Sequence, residues 1–119
     1  MSFFKRVGIT LGAVALAFSL GCTTEVEVTP PPADAVWIDV RSAEEYKEGH
    51  LRQATLIPYD VIAKEIATLA LTKDAPIYLY CGSGYRAGKA KKTLEAQNYT
   101  NVSNVGGLED ARSLAARTP

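Results

Sequence analysis

Ile77-Tyr78-Leu79-Tyr80, followed by Cys81-Gly82-Ser83-Gly84-Tyr85-Arg86, is the stretch from which the rest of the chain can be read. The first four residues favour a pleated, half-buried surface and predict a buried strand over 77–80. Gly82 and Gly84 predict a loop, and 86–97 a helix with Asn98 as its stop. Cys81 is thus expected just past a strand and just before a helix. The glycines let the backbone curl with its N–H groups inward. The helix adds the positive end of its dipole, and Arg86 a fixed charge in a planar fork. All three favour a thiolate over a thiol, so Cys81 is expected to have a lowered pKa and to serve as nucleophile. The backbone of Gly82, Ser83, Gly84 and Tyr85, with Arg86, would cradle a small anion such as an oxyanion of sulfur.

Working outward, apolar runs alternate with helical patterns. Val36-Trp37-Ile38 predicts a strand ending at Asp39. Ser42 and Glu45 form a capping box for a helix that stops at Gly49. A second strand is predicted over 54–57, closed by Pro58. Asp60 is expected to cap a helix carrying Val61, Ile62, Ile66 and Leu69. A fourth strand is predicted over 102–105, then a Gly106-Gly107 turn and a last helix over 108–116. The alternation predicts an α/β fold: a small parallel sheet of about four strands with helices on both faces. Sites in such sheets form past the carboxyl ends of the strands, where Cys81 falls.

The first third differs. Lys5 and Arg6 precede an uncharged run from Val7 to Leu20, too short and glycine-interrupted for a membrane span of about 20 residues. Residues 1–21 read as an export signal, and Gly21-Cys22 after such a run resembles a bacterial lipoprotein signal in which Cys22 is lipidated. Ser19 stands where that signal usually has Leu. Residues 22–34, with Pro30-Pro31-Pro32, read as a tether, and 35–119 as the domain. The expected location is periplasmic or on the cell surface, anchored to a membrane. Thr23 in place of Asp points to outer-membrane sorting where two membranes exist. Formal net charge is zero, which gives no reason to expect nucleic acid as partner. With Cys22 lipidated, Cys81 is the one remaining thiol, unusual outside the cytoplasm and a mark of reactivity.

Cys, four residues, then Arg, with Gly in the loop, resembles the active-site loop of rhodaneses. Asp39-Val40-Arg41, Glu45-Tyr46, Gly49-His50-Leu51, Ala54, Ile57 and Pro58 resemble the family's opening signature, and Gly106-Gly107-Leu108 its closing turn. Gln53 and Ala87 depart from it, where Gly and often Ser are usual. The likeness covers about residues 36–115 and is strongest to the short exported thiosulfate sulfurtransferases of the phage shock protein E type. It implies sulfur transfer from thiosulfate or a similar small anionic donor to cyanide or a thiol, through a persulfide on Cys81. No metal or organic cofactor is implied. A second reading is a sulfur-carrier module charged by a partner protein. A third, an exported redox domain, lacks a resolving cysteine. His50 reads as a packing residue rather than a general base, and Asp39 and Arg41 as a pair that fixes loops. Tyr78 and Tyr80 read as core, Tyr85 as part of the pocket mouth, and Lys89, Lys91 and Lys92 as a solvated helix face.

Phosphatases and arsenate reductases of related fold carry five residues between Cys and Arg, where this chain has four. The cradle is therefore expected to be too small for phosphate chemistry. An aryl phosphate should not be hydrolysed; turnover that vanishes in Cys81→Ser would contradict this.

Overall fold

The computed structural model describes residues 29–118. The predicted signal and Cys22 lie outside the described residues. Four parallel strands form one sheet in the order β2-β1-β3-β4: β1 is Val36–Asp39, β2 Thr55–Leu56, β3 Ile77–Cys81 and β4 Val102–Gly107. The fold is the α/β parallel sheet expected from the alternation of elements.

Side chains of β3 alternate between two cores, as the period of two in a strand demands. Ile77, Leu79 and Cys81 face a cluster with Ile38, Val40, Ile62, Ile66, Ala87, Ala90 and Leu94. That cluster is covered by α2 (Ile62–Glu65), a 3-10 turn (Ile66–Leu69) and α3 (Tyr85–Ala96). Tyr80 faces the other cluster, with Trp37, Leu51, Ala54 and Ala111, and Tyr78 packs against it. This second face carries α4 (Leu108–Ala115). The Trp37 and Tyr78 rings lie 4.9 Å apart, and the Tyr80 hydroxyl accepts the Leu51 N–H at 3.0 Å. Both tyrosines are therefore core, as read from the strand.

Helix α1 (Ala43–Glu48) starts at the predicted capping box: Glu45 N–H donates to Ser42 Oγ, and Ser42 N–H donates to Glu45 Oε1. Pro31 is fully buried, and the Ala35 N–H donates to Pro32 O at 3.1 Å. The proline run thus ends against the domain.

Three local expectations change. Asp60 does not cap α2. The Val61 N–H closes a turn onto Pro58 O, which leaves Asp60 inside that turn and Val61 at the cap position without a side-chain bond. The helix itself tightens to 3-10 at Ile66 and stops at Ala70 in the left-handed region. Cys81 is the last residue of β3 rather than the first beyond it. Gly106 and Gly107 are not a free turn but the end of β4. The register slips by one residue, so that Leu79 pairs with Asn104 but Tyr80 with Gly106 and Cys81 with Gly107. The bulge brings the two glycines against the strand that ends in Cys81.

Gly107 is needed there because backbone meets backbone: a Cβ at 107 would lie 2.5 Å from the Gly82 carbonyl oxygen. Gly88, inside α3, has no such constraint, since its Cβ would meet only the Asn104 side chain at 3.5 Å. Gly107→Ala should therefore destabilise the domain by about 1–3 kcal/mol, whereas Gly88→Ala should stabilise it by about 0.5–1 kcal/mol. Denaturant unfolding of the two variants beside the wild type checks the opposite signs.

Candidate active site

Residues Cys81 to Arg86 run from the end of β3 into the first turn of α3. Cys81 points to the face that α3 covers and is 1% exposed. Gly84, at φ +100°, reverses the chain, a conformation that favours glycine. Its N–H donates to Cys81 Sγ at 2.9 Å, and the Ala87 N–H donates at 3.4 Å. Burial pushes the Cys81 thiol up, but hydrogen bonds from the backbone of Ala87, Ser83, Gly84 and Arg86 outweigh it and hold the thiol below its usual value. The loop thus supplies several donors to a sulfur that water barely reaches.

The loop is braced from two sides. Asn104, on β4, donates through Nδ2 to Gly84 O at 2.9 Å and accepts the Gly106 N–H at 3.0 Å. On the other side, Arg86 donates to both carboxylate oxygens of Glu45, at 2.8 and 3.1 Å. Bonds from Arg86 and from the Ser42 backbone lower the Glu45 pKa to about 2. Arg86 is raised in turn, first by Glu45 and further by Cys81. Arg86 is half-buried, and its Nη2 lies 3.3 Å from where a Gly82 Cβ would sit.

Of the residues singled out in the sequence, Cys81, Gly82, Ser83, Gly84 and Arg86 come together in this loop. Tyr85 lies on its outer side, 72% exposed, with Lys89 Nζ 5.3 Å from its ring centroid. His50 stacks on Tyr46, ring centroids 3.6 Å apart, and its Nδ1 donates to Tyr46 O at 2.7 Å. That nitrogen is taken by a backbone hydrogen bond and the ring face by stacking. Asp39 and Arg41 form a buried pair through both carboxylate oxygens, and Arg41 Nη2 also donates to Gly49 O at 2.7 Å. They tie the end of β1 to the end of α1.

Glu45 and Asn104 were not read as site residues. Glu45 is legible as a helix cap and as part of the opening signature, but not as the partner of Arg86, which is 41 positions away. Asn104 carried no signal, since its role depends on the β4 bulge.

A buried cysteine with inward N–H donors, at the carboxyl end of a central parallel strand, defines an α/β protein with a cysteine-bearing loop. Comparison with known proteins sharpens the class. Residues 28–113 match the model of the Rhodanese-like domain family. The chain is 39% identical over 98 residues to the thiosulfate sulfurtransferase PspE of Escherichia coli strain K12, covering 82% of this chain and 86% of that protein. It is 33% identical over 94 residues to the tRNA uridine(34) hydroxylase of Sodalis glossinidius, covering 74% of this chain but only 27% of that larger protein. The solved structure described as rhodanese with anions from E. coli superposes with a TM-score of 0.61 at 39% identity, over 64% of this chain and 89% of that one. This chain belongs to the rhodanese-like domain family. It is a homologue of PspE, as the resemblance in its loop and opening motifs implied.

The thiolate cradle has a measurable signature. The difference in far-ultraviolet thiolate absorbance between wild type and Cys81→Ser should titrate below the ordinary thiol value of about 8.5. Arg86→Gln should move the midpoint upward, because it removes a charge that favours the thiolate. A wild-type midpoint at or above the ordinary value would contradict the geometry.

Proposed function

We propose that this protein transfers sulfane sulfur from thiosulfate, or a similar small anionic donor, to cyanide or a thiol through a persulfide on Cys81. The observation that carries the reading is the convergence of the Gly84 and Ala87 N–H groups on Cys81 Sγ. A thiolate needs such donors to form, and the persulfide that replaces it needs them as much.

In the first half-reaction the Cys81 thiolate attacks the outer sulfur of thiosulfate. The new S–S bond forms as the donor's own S–S bond breaks, and sulfite leaves with that electron pair. In the second, the acceptor takes the outer sulfur and the electron pair returns to Cys81 Sγ. Loop N–H groups of Gly82 to Arg86 hold the outer sulfur. Glu45 binds one edge of the Arg86 guanidinium, through Nη1 and Nη2, which leaves the remaining N–H donors for the sulfonate end of the donor. Arg86 therefore acts as an oriented donor whose charge is largely balanced, not as a free cation.

In this reading residues 1–21 direct export and Cys22 carries the lipid, so that 22–34 tether the domain on the periplasmic or outer face of a membrane. The exposed Tyr85, beside Lys89 at the rim of the loop, favours a second reading. It offers a contact for a partner protein that would deliver or collect the sulfur.

The purified protein, with Cys81→Ser beside it, should produce thiocyanate from thiosulfate and cyanide and gain the mass of one sulfur on thiosulfate treatment. Both should be lost in the variant, a rate fall of at least about a thousandfold for removal of a nucleophile. No turnover and no mass gain would sink the thiosulfate reading. Mass gain from a protein persulfide donor alone would then establish the carrier.

A further inference from the structure

A cavity of about 290 Å³ opens beside the loop, lined by Val40, Arg41, Ser42, Ala43, Pro58, Tyr59, Asp60 and Arg86. We infer that it is the acceptor subsite, and that it takes a small organic thiol bearing a protonated amine, with Asp60 selecting that charge. The inference rests on the persulfide reading above and names the class of acceptor for it.

Position comes first. Asp39 pairs with Tyr80 across the β1–β3 ladder, and the Val40 N–H donates to Tyr80 O at 3.0 Å. Val40 therefore lies alongside the end of β3, next to Cys81. The Tyr59 N–H donates to Val40 O at 3.1 Å, which seats the segment after β2 on the same edge. The cavity thus begins one strand from the sulfur, and Arg86 forms wall to both cavity and loop.

Size and lining argue for an organic body. The volume stands at the lower end of small-molecule sites, about 300–1,000 Å³, and exceeds what an inorganic sulfur anion would fill. Val40, Pro58 and Tyr59 supply apolar wall. A larger cavity of about 490 Å³ lies across the sheet against α4 and includes none of residues 81–86.

Charge decides the class. Both arginines in the lining are already neutralised, Arg41 by Asp39 and Arg86 by Glu45. Asp60 is exposed at the rim and takes part in none of the ion pairs found among the described residues. The lining therefore carries one uncompensated negative charge. An acceptor thiol that carries an ammonium group, as cysteamine does three bonds from its sulfur, would set that charge against Asp60 while its sulfur faces the loop. A carboxylate in its place would be repelled.

The step balances without a further reagent. The acceptor thiol loses its proton to solvent, and its thiolate attacks the outer sulfur of the Cys81 hydropersulfide. The Cys81 S–S bond breaks, its electron pair returns to Sγ, and the outer sulfur leaves with its proton as the acceptor's hydropersulfide.

The test loads the full-length protein with thiosulfate and compares cysteamine, 2-mercaptoethanol and 3-mercaptopropionate as acceptors, at equal thiolate concentration. For an exposed carboxylate, kcat/KM should favour cysteamine over mercaptoethanol by about three- to fivefold, with mercaptopropionate below both. Asp60→Asn should bring the cysteamine-to-mercaptoethanol ratio to about one, and Asp60→Lys should invert the order of the charged pair. Because each readout is a ratio within one variant, partial loss of folding does not mimic it. Persulfide loading with ratios unchanged by Asp60 variants, or with mercaptopropionate preferred, overturns the subsite alone. Failure to load a persulfide overturns the reading on which it rests, and the subsite with it.

Discussion

The Cys81 sulfur, on a residue 1% exposed, cannot rely on water for its polar contacts, and the elements around it answer to that constraint. The N–H groups that replace water come from Gly84 and from the first turn of α3. They point at Sγ only because β3 ends one residue before Gly82, so that strand, loop and helix start follow without slack. The same tightness explains the glycine at 107. The β4 bulge presses its backbone against the Gly82 carbonyl with no room for a side chain.

Glu45 links this cradle to the rest of the molecule. One carboxylate closes the capping box at Ser42 and grips the Arg86 guanidinium through both oxygens. The start of α1 and the start of α3 are thereby held in one arrangement. The pair is half-exposed, so its worth in global stability is small. Its effect is geometric: a long, flexible arginine is held at one angle over the loop. The Asp39–Arg41 pair does comparable work one layer deeper, where burial makes both partners necessary to each other.

The two faces of the sheet divide the labour. The face under α2 and α3 holds Cys81 and its donors, with small residues Ala87 and Ala90 letting α3 approach the sheet. The opposite face is aromatic, built on Trp37, Tyr78 and Tyr80 under α4. Tyr80 reaches out of that layer to bind the Leu51 backbone, and burial raises its hydroxyl pKa to about 12, so it remains a neutral donor and acceptor. That aromatic layer fixes the height of β3, and so of the cysteine at its end.

Much of this was legible in the order of residues alone. Alternating apolar runs determined the parallel α/β sheet, Ser42 and Glu45 the start of α1, and Cys81-Gly-Ser-Gly-Tyr-Arg86 the loop whose N–H groups turn toward Cys81, because each rests on contacts within a few residues. Asp60 does not serve as a cap, since a turn closed on the Pro58 carbonyl leaves Val61, one residue later, at the cap position. Glu45 as partner of Arg86, Asn104 as brace of Gly84, and Gly106-Gly107 as strand rather than turn depended on tertiary structure. They arise from pairing between segments 20 to 41 residues apart, and from a one-residue slip in register that no local pattern encodes. Short-range order set the chemistry of the site, whereas long-range packing decided which neighbours hold it in place.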